Sequence, residues 1–175
     1  ANKRAGSFGK AEETMAKASF VLPRSRKGKN LTASEDERQV DALASAALGN
    51  ERGNEERRKA KKAEIRRKPY SIEPVSYPRA VLFDTVHLLN STVIKLNVNH
   101  PFYKDVLQPL CGDLGDAEAE QERQDIKSAI LLLLFAYAKA ESMFDGHEGL
   151  FESLRTQWGA VLATALREYE REQEL

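Results

Sequence analysis

The sequence predicts an α+β fold that is mostly α: a short antiparallel β-hairpin packed on three helices, preceded by a charged helical arm. Three observations carry this. Large apolar side chains are scarce before Pro69, where one Ile, one Met and two Phe occur, and abundant after it. Two β-branched runs, Val81–Val86 and Thr92–Val98, are separated by five residues, a hairpin spacing. Beyond them, apolar residues recur at helical intervals almost to the end of the chain.

A length of 175 residues suits one core of about 100 residues after Pro69, large enough to be stable, plus appendages. The division predicted is a basic tail over 1–31, a charged helical arm over 32–68 and a compact module over 69–175. The formal net charge of zero conceals a split. Residues 1–68 hold 18 Lys and Arg against 10 Asp and Glu, an excess of +8; residues 69–175 hold 9 against 17, an excess of −8. Two halves of opposite sign can pack on each other, on a neighbouring subunit or on separate partners. Cys111 is the only cysteine, which excludes an intrachain disulfide and suits a reducing, cytoplasmic setting. The longest apolar run, Ala129–Ala138, is ten residues, about half of what a bilayer requires, so no membrane partner is expected. The opening at Ala1 suggests a processed product or an excised fragment.

Taken in order, residues 1–31 are small, basic and broken by Gly and Pro, and read as a mostly disordered tail or a segment docked on a partner. Only Lys10–Val21, with Met15 and Ala18 near one face, has helical character. From Thr32 a helix is predicted, with Ser34 as cap, Glu35, Asp36 and Glu37 in its first turn, and Val40, Leu43, Ala44, Ala47 and Leu48 as its stripe. Gly49-Asn50 stops it. The next helix, Glu55–Arg67, has only Ala60, Ala63 and Ile65 as apolar residues, so it should project into solvent or lie along something acidic.

Pro69 and Pro74 bracket a short extended segment, Tyr70–Glu73. A hairpin over 81–98 follows, in which Thr92, Ile94, Leu96 and Val98 share one face and Lys95 and Asn97 the other. That alternation predicts one buried side and one wet side. Pro101 can open a helix over about 101–110 because its missing N–H needs no partner there, and Phe102, Val106, Leu107 and Leu110 form its stripe. After a Gly112–Gly115 loop, a helix over 116–145 begins with Asp116, Glu118, Glu120 and Glu122, where the macrodipole favours acids. Its middle, Ile130–Phe135, is apolar all round, which predicts a helix covered on most sides. The last helix, 148–171, places Phe151, Leu154, Trp158, Val161, Leu162, Ala165, Leu166 and Tyr169 on one face and Glu152, Arg155, Thr164, Arg167 and Glu168 on the other. With Asp145-Gly146-His147 as the turn, the two helices should form an antiparallel pair. Ile130, Leu133, Leu134, Tyr137, Phe151, Leu154, Trp158 and Leu162 are the candidate core or interface residues.

Chemistry is sparse. His87, His100 and His147 have no second ligand at metal spacing, so no metal site is predicted. His100 reads as a hydrogen-bonding residue at the strand–helix corner and His147 as solvent-facing. No Gly-x-Ser-x-Gly elbow and no glycine-rich phosphate loop is present. The candidate nucleic-acid contact is the cluster Arg57, Arg58, Lys59, Lys61, Lys62, Arg66, Arg67 and Lys68, which would bind phosphate without sequence preference. Glu55, Glu56 and Glu64 sit among these cations, and no aromatic residue is interleaved.

The run Ile94-Lys95-Leu96-Asn97-Val98-Asn99-His100-Pro101-Phe102-Tyr103, followed by two helices with Trp158 in the second, resembles a segment that follows the ATPase and transducer region in bacterial and phage proteins of the GHKL superfamily, named for gyrase, histidine kinases and mismatch-repair ATPases. The resemblance covers about residues 66–170, with Asn97, His100, Pro101, Phe102 and Tyr103 as its motif. It implies ATP-dependent work by a parent protein on DNA or on a protein partner. The family's magnesium-holding Glu/Asn helix and Asp-x-Gly-x-Gly adenine loop are not found in this sequence, so ATP and magnesium are assigned to the parent and no cofactor to this chain. The expectation is a non-catalytic interaction or dimerisation module, with helix 32–68 as a connecting lever. The alternative is a small nucleic-acid-associated protein using its basic arm. On the first reading, no open pocket of converging ionisable groups is expected after Pro69.

Overall fold

The computed structural model describes residues 8–51, 53–77, 80–111 and 117–173. Five helices, α1 (Gly9–Ala18), α2 (Ala33–Leu48), α3 (Glu55–Arg67), α4 (Ala117–Glu141) and α5 (Glu148–Gln173), surround three strands, β1 (Tyr70–Val75), β2 (Phe83–His87) and β3 (Thr92–Asn97). The class is α+β and mostly α, as predicted. The expected starts at Asp116 and in the Gly112–Gly115 loop lie outside the described residues.

The sheet order is β1-β3-β2. β2 and β3 form the antiparallel hairpin, with Phe83 opposite Leu96 and Thr85 opposite Ile94. β1 adds a third strand, parallel to β3, with Ile72 beside Ile94. Pro74 is tolerated in β1 because an edge strand needs no donor on its outer side.

Both faces of β3 are covered. Ile94 and Leu96 join Ile72, Phe83, Leu131, Leu134 and Phe135 in a core under α4, and Phe8, Ala11 and Met15 of α1 extend it. On the other face Val93 packs with Val40, Leu43 and Ala44 of α2 and Ile65 of α3. The wet side that the alternation predicts is therefore dry, because the arm folds back over it. Asn97 on that face is itself buried, its amide donating to the Val81 carbonyl at 2.9 Å.

The described part of the predicted tail is also placed on the core. Glu12 is buried and accepts from the Ile72 N–H at 2.9 Å, so α1 closes the free edge of β1, which would otherwise invite another strand. Beyond α1, Arg26 and Lys27 donate their backbone N–H groups to the Ser142 carbonyl at 2.7 and 3.0 Å. Gly28, at φ +83, passes so near β2 that a Cβ there would lie 2.4 Å from the Leu88 carbonyl.

Local chemistry sets several boundaries. The cap of α2 is Thr32 rather than Ser34: it forms a capping box with Glu35, accepting from the Glu35 N–H while its own N–H donates to the Glu35 carboxylate at 2.8 Å. The helix predicted over 101–110 is a π-helical turn, Phe102–Leu107, followed by a 3-10 turn, Pro109–Cys111. Pro109 has no N–H to continue the α ladder, and Gln108 donates five residues back, to the Tyr103 carbonyl at 2.7 Å.

α5 departs furthest from its pattern. Its buried residues are Arg155 and Gly159, and most of the predicted apolar stripe is exposed. It packs on β2 and the π-helical turn, not along α4 as a closed antiparallel pair. Gly159 is the reason. Its missing side chain lets α5 touch the chain before β2, where a Cβ would sit 2.3 Å from the Ala80 carbonyl and 2.8 Å from the Leu82 nitrogen. Alanine gains up to about 1 kcal/mol of helix propensity over glycine, so the isolated helix should prefer Gly159→Ala. We expect the folded chain instead to lose about 1–3 kcal/mol from the backbone clash, measured by urea unfolding.

Candidate functional site

Two clefts meet at α5, one ionisable and one apolar. The ionisable cleft, about 880 Å³, lies among the segment before α2, α2 itself, β2 and the facing ends of α4 and α5. Successive residues of β2 point to opposite faces, so Thr85 and His87 lie on the α4 side and Asp84 on the other. Glu141, at the end of α4, is the hub. It accepts from Thr85 Oγ1 at 2.8 Å, Arg155 Nη1 at 2.5 Å and Lys27 Nζ at 3.4 Å, and His87 Nε2 stands 3.7 Å away. Arg155 Nη2 donates to Asp84 Oδ1 at 2.8 Å, and Lys95 holds Asp84 Oδ2 at 2.7 Å. The Arg155 guanidinium thus reaches round the free edge of β2 and ties both faces together.

Burial pushes the Glu141 carboxyl up, but the nearby His87 ring and the hydrogen bonds from Thr85 and Arg155 outweigh it and leave the group lowered to about 2. Burial likewise disfavours the Arg155 cation, and Glu141 and Asp84 more than offset that. Both stay ionised at neutral pH. The carboxylate holds no proton to deliver and the Thr85 hydroxyl is committed to it, so the cluster fixes charge rather than transferring protons. This is an open pocket of converging ionisable groups, which the sequence reading did not expect. Its members come from five separate segments, and no local pattern links them.

The motif corner sits on the far side of α5. Phe102 N–H donates to His100 Nδ1 at 3.1 Å, so Nε2 carries the proton and donates to the Gly159 carbonyl at 2.9 Å. Burial pulls the His100 pKa down, against the Gly159 carbonyl, which keeps the imidazole neutral. Asn97 Oδ1 accepts from the Asn99 N–H at 3.0 Å. Pro101 opens the turn that carries Phe102 and Tyr103, and both rings pack against the core.

The apolar cleft, about 460 Å³, is walled by Ile130, Leu133, Leu134 and Tyr137 of α4 and Leu154, Trp158 and Leu162 of α5. Phe151 lies apart, beside Phe144 and under the Lys27 ammonium. Phe83 supports the wall edge-on to both Tyr137 and Trp158, at 5.3 and 5.6 Å. Leu133 is 71% exposed, Val161 66% and Trp158 45%. The stretch predicted to be covered on most sides buries Leu131, Leu134 and Phe135 but leaves Leu133 in solvent.

The basic cluster on α3 is largely consumed within the chain. Arg58 pairs with Asp41 at 2.8 Å, Lys61 with Glu73 at 2.7 Å and Lys68 with Glu12 at 2.8 Å. Lys62 and Arg66 both reach Glu37, and Arg57 reaches Glu51. Lys59 and Arg67 have no ion pair among the described residues. The acidic surface along which α3 lies is thus mainly α2. His147 is exposed in the turn before α5.

Among the described residues no group of three or more His, Cys, Asp and Glu could hold a metal ion, and no helix is long and apolar enough to cross a membrane. Comparisons with protein-family models, curated proteins and solved structures give no match. Lys27, Asp84, Thr85, Glu141 and Arg155 escaped the sequence reading. The one available signal was Gly159, four residues after Arg155: a glycine inside a long helix marks a face pressed on backbone.

Replacing Glu141 by Gln leaves Arg155 and Lys27 without their shared counter-charge. We expect a loss of about 3 kcal/mol at pH 7, the low end for orphaned buried pairs because this cleft admits water. The folded-state pKa lies below the ordinary carboxylate value, so the stabilisation is full above about pH 4.5 and lost towards pH 2. Urea unfolding at pH 7 and pH 3 should therefore show the variant and parent converging in acid.

Proposed function

We propose that this chain is a non-catalytic interaction or dimerisation module of a GHKL-type ATP-dependent protein that works on DNA or on a protein partner in the cytoplasm. The observation that carries the interaction reading is the exposed apolar face of α4 and α5. Of ten large apolar side chains left exposed among the described residues, eight (Ile126, Leu133, Phe144, Leu150, Leu154, Trp158, Val161 and Tyr169) lie on these helices or their turn. Monomeric proteins seldom leave so much apolar surface together unless something docks there. The superfamily link rests on the Asn97–Tyr103 run, whose Asn97 and His100 side chains bind the corner between β3 and the π-helical turn to its neighbours. The ion-paired state of α3 favours a structural arm over a phosphate-binding one.

Adding this chain to a GHKL-type ATPase domain from the same parent should change that domain's ATP turnover, while the chain alone shows no calorimetric heat with Mg-ATP. Tight Mg-ATP binding by the chain, or an ATP turnover unmoved at saturating chain, counts against the proposal.

A further inference from the structure

The spacing of the exposed face suits helix-on-helix packing. On α4 the exposed positions Ile126, Ala129, Leu133, Ala136 and Ala140 follow at intervals of three and four residues, the repeat that keeps side chains on one seam. On α5, Leu154, Trp158, Val161 and Ala165 do the same and are also exposed. Leu133, Leu154 and Trp158 of these seams line the apolar cleft. The charged residues of α4 between Ile126 and Ala140, Lys127 and Lys139, are both buried, so the exposed seam has no charge with which to select a foreign partner.

Leu133 is the large residue at the middle of that seam, with Ala129 before it and Ala136 after it. A bulky side chain flanked by small ones complements a copy of itself across a two-fold axis, each leucine resting on the other helix's alanines. The acids set the direction. Glu118, Glu122 and Asp125 are exposed in the first part of α4; parallel pairing would stack them, whereas antiparallel pairing lays them beside the second half of the other helix, whose charged residues, Lys139 and Glu141, are buried. The area is also sufficient. Half-exposed large side chains offer roughly 100 Å² apiece, so Ile126, Leu133, Leu154, Trp158, Val161 and Tyr169 with the seam alanines approach the ~800 Å² per partner of a standard interface.

We infer that the occupant of the α4–α5 cleft is a second copy of this chain, with the two α4 helices antiparallel about Leu133 and the α5 helices flanking them. The inference rests on the reading of this face as the interaction surface, and names what fills it.

The test uses the full chain. Sedimentation velocity at micromolar concentrations should give twice the chain mass of 19.6 kDa. Leu133→Glu should sediment as a monomer with an unchanged circular dichroism spectrum, since Leu133 is 71% exposed within one protomer, and should melt below the dimeric parent at equal concentration, because association stabilises the folded state. In a Cys111→Ser background, Leu133→Cys should oxidise to a covalent dimer, and Ser34→Cys, on exposed α2 surface, should not. A parent chain that stays monomeric throughout overturns the inference, as does a Leu133→Glu chain that stays dimeric or a Leu133→Cys chain that fails to cross-link. The ATPase-domain titration separates the two readings: a monomer that still changes that domain's turnover loses only self-pairing, and a dimer without effect on the domain loses only the partner assignment.

Discussion

The architecture depends on the burial of β3 on both faces. Ile94 and Leu96 point towards α4, and Val93 points towards α2 and α3. A three-stranded sheet can exclude water on both sides only if helices are supplied to each. The compact second half provides α4 for one face, and the charged arm must return to cover the other. Once that requirement is met, α2 and α3 are core elements that happen to be highly charged, and their connecting role is subordinate to their packing.

Charge pairing follows from the same constraint. An arm laid against a sheet brings its lysines and arginines close to carboxylates, and these pair with Glu12, Glu37, Asp41 and Glu73. Most of these pairs lie within residues 1–68; the opposite-sign division between the halves is bridged by Lys61–Glu73, Lys27–Glu141 and Lys10–Asp125. The two open strand edges are handled in the same currency: Glu12 occupies the outer N–H of Ile72 on β1, and Arg155 folds round β2 between Asp84 and Glu141. Charged groups at strand edges discourage further strand addition, which leaves helix faces as the available docking surface.

That division explains why the two clefts differ in kind. The ionisable cleft is a junction where four elements are clamped by one carboxylate, and most of its groups are paired with one another, His87 Nε2 and Arg155 Nε being left without a hydrogen-bond partner among the described residues. The apolar cleft exists because Gly159 draws α5 onto the chain before β2 and His100 anchors it there, away from a closed pairing with α4. Leu133, Trp158 and Val161, which a closed helical pair would have buried, are left to face solvent. The same close contact that fixes α5 therefore creates the surface proposed to bind.

Periodicity and punctuation in the sequence determined the helices, the β2–β3 hairpin and the corner built from Asn97, His100 and Pro101, because these depend on neighbours within a few residues. Which face of each element is buried was a different matter. The stripe on α5 read as core and is mostly exposed, while Arg155 read as solvent-facing and is buried, since one glycine against a distant backbone outranked eight apolar side chains. The second face of β3, the docking of α1 and the Glu141 hub were settled only by tertiary structure. Each joins residues tens of positions apart, and a one-dimensional pattern records that a side chain can be buried or paired, never which surface reaches it first.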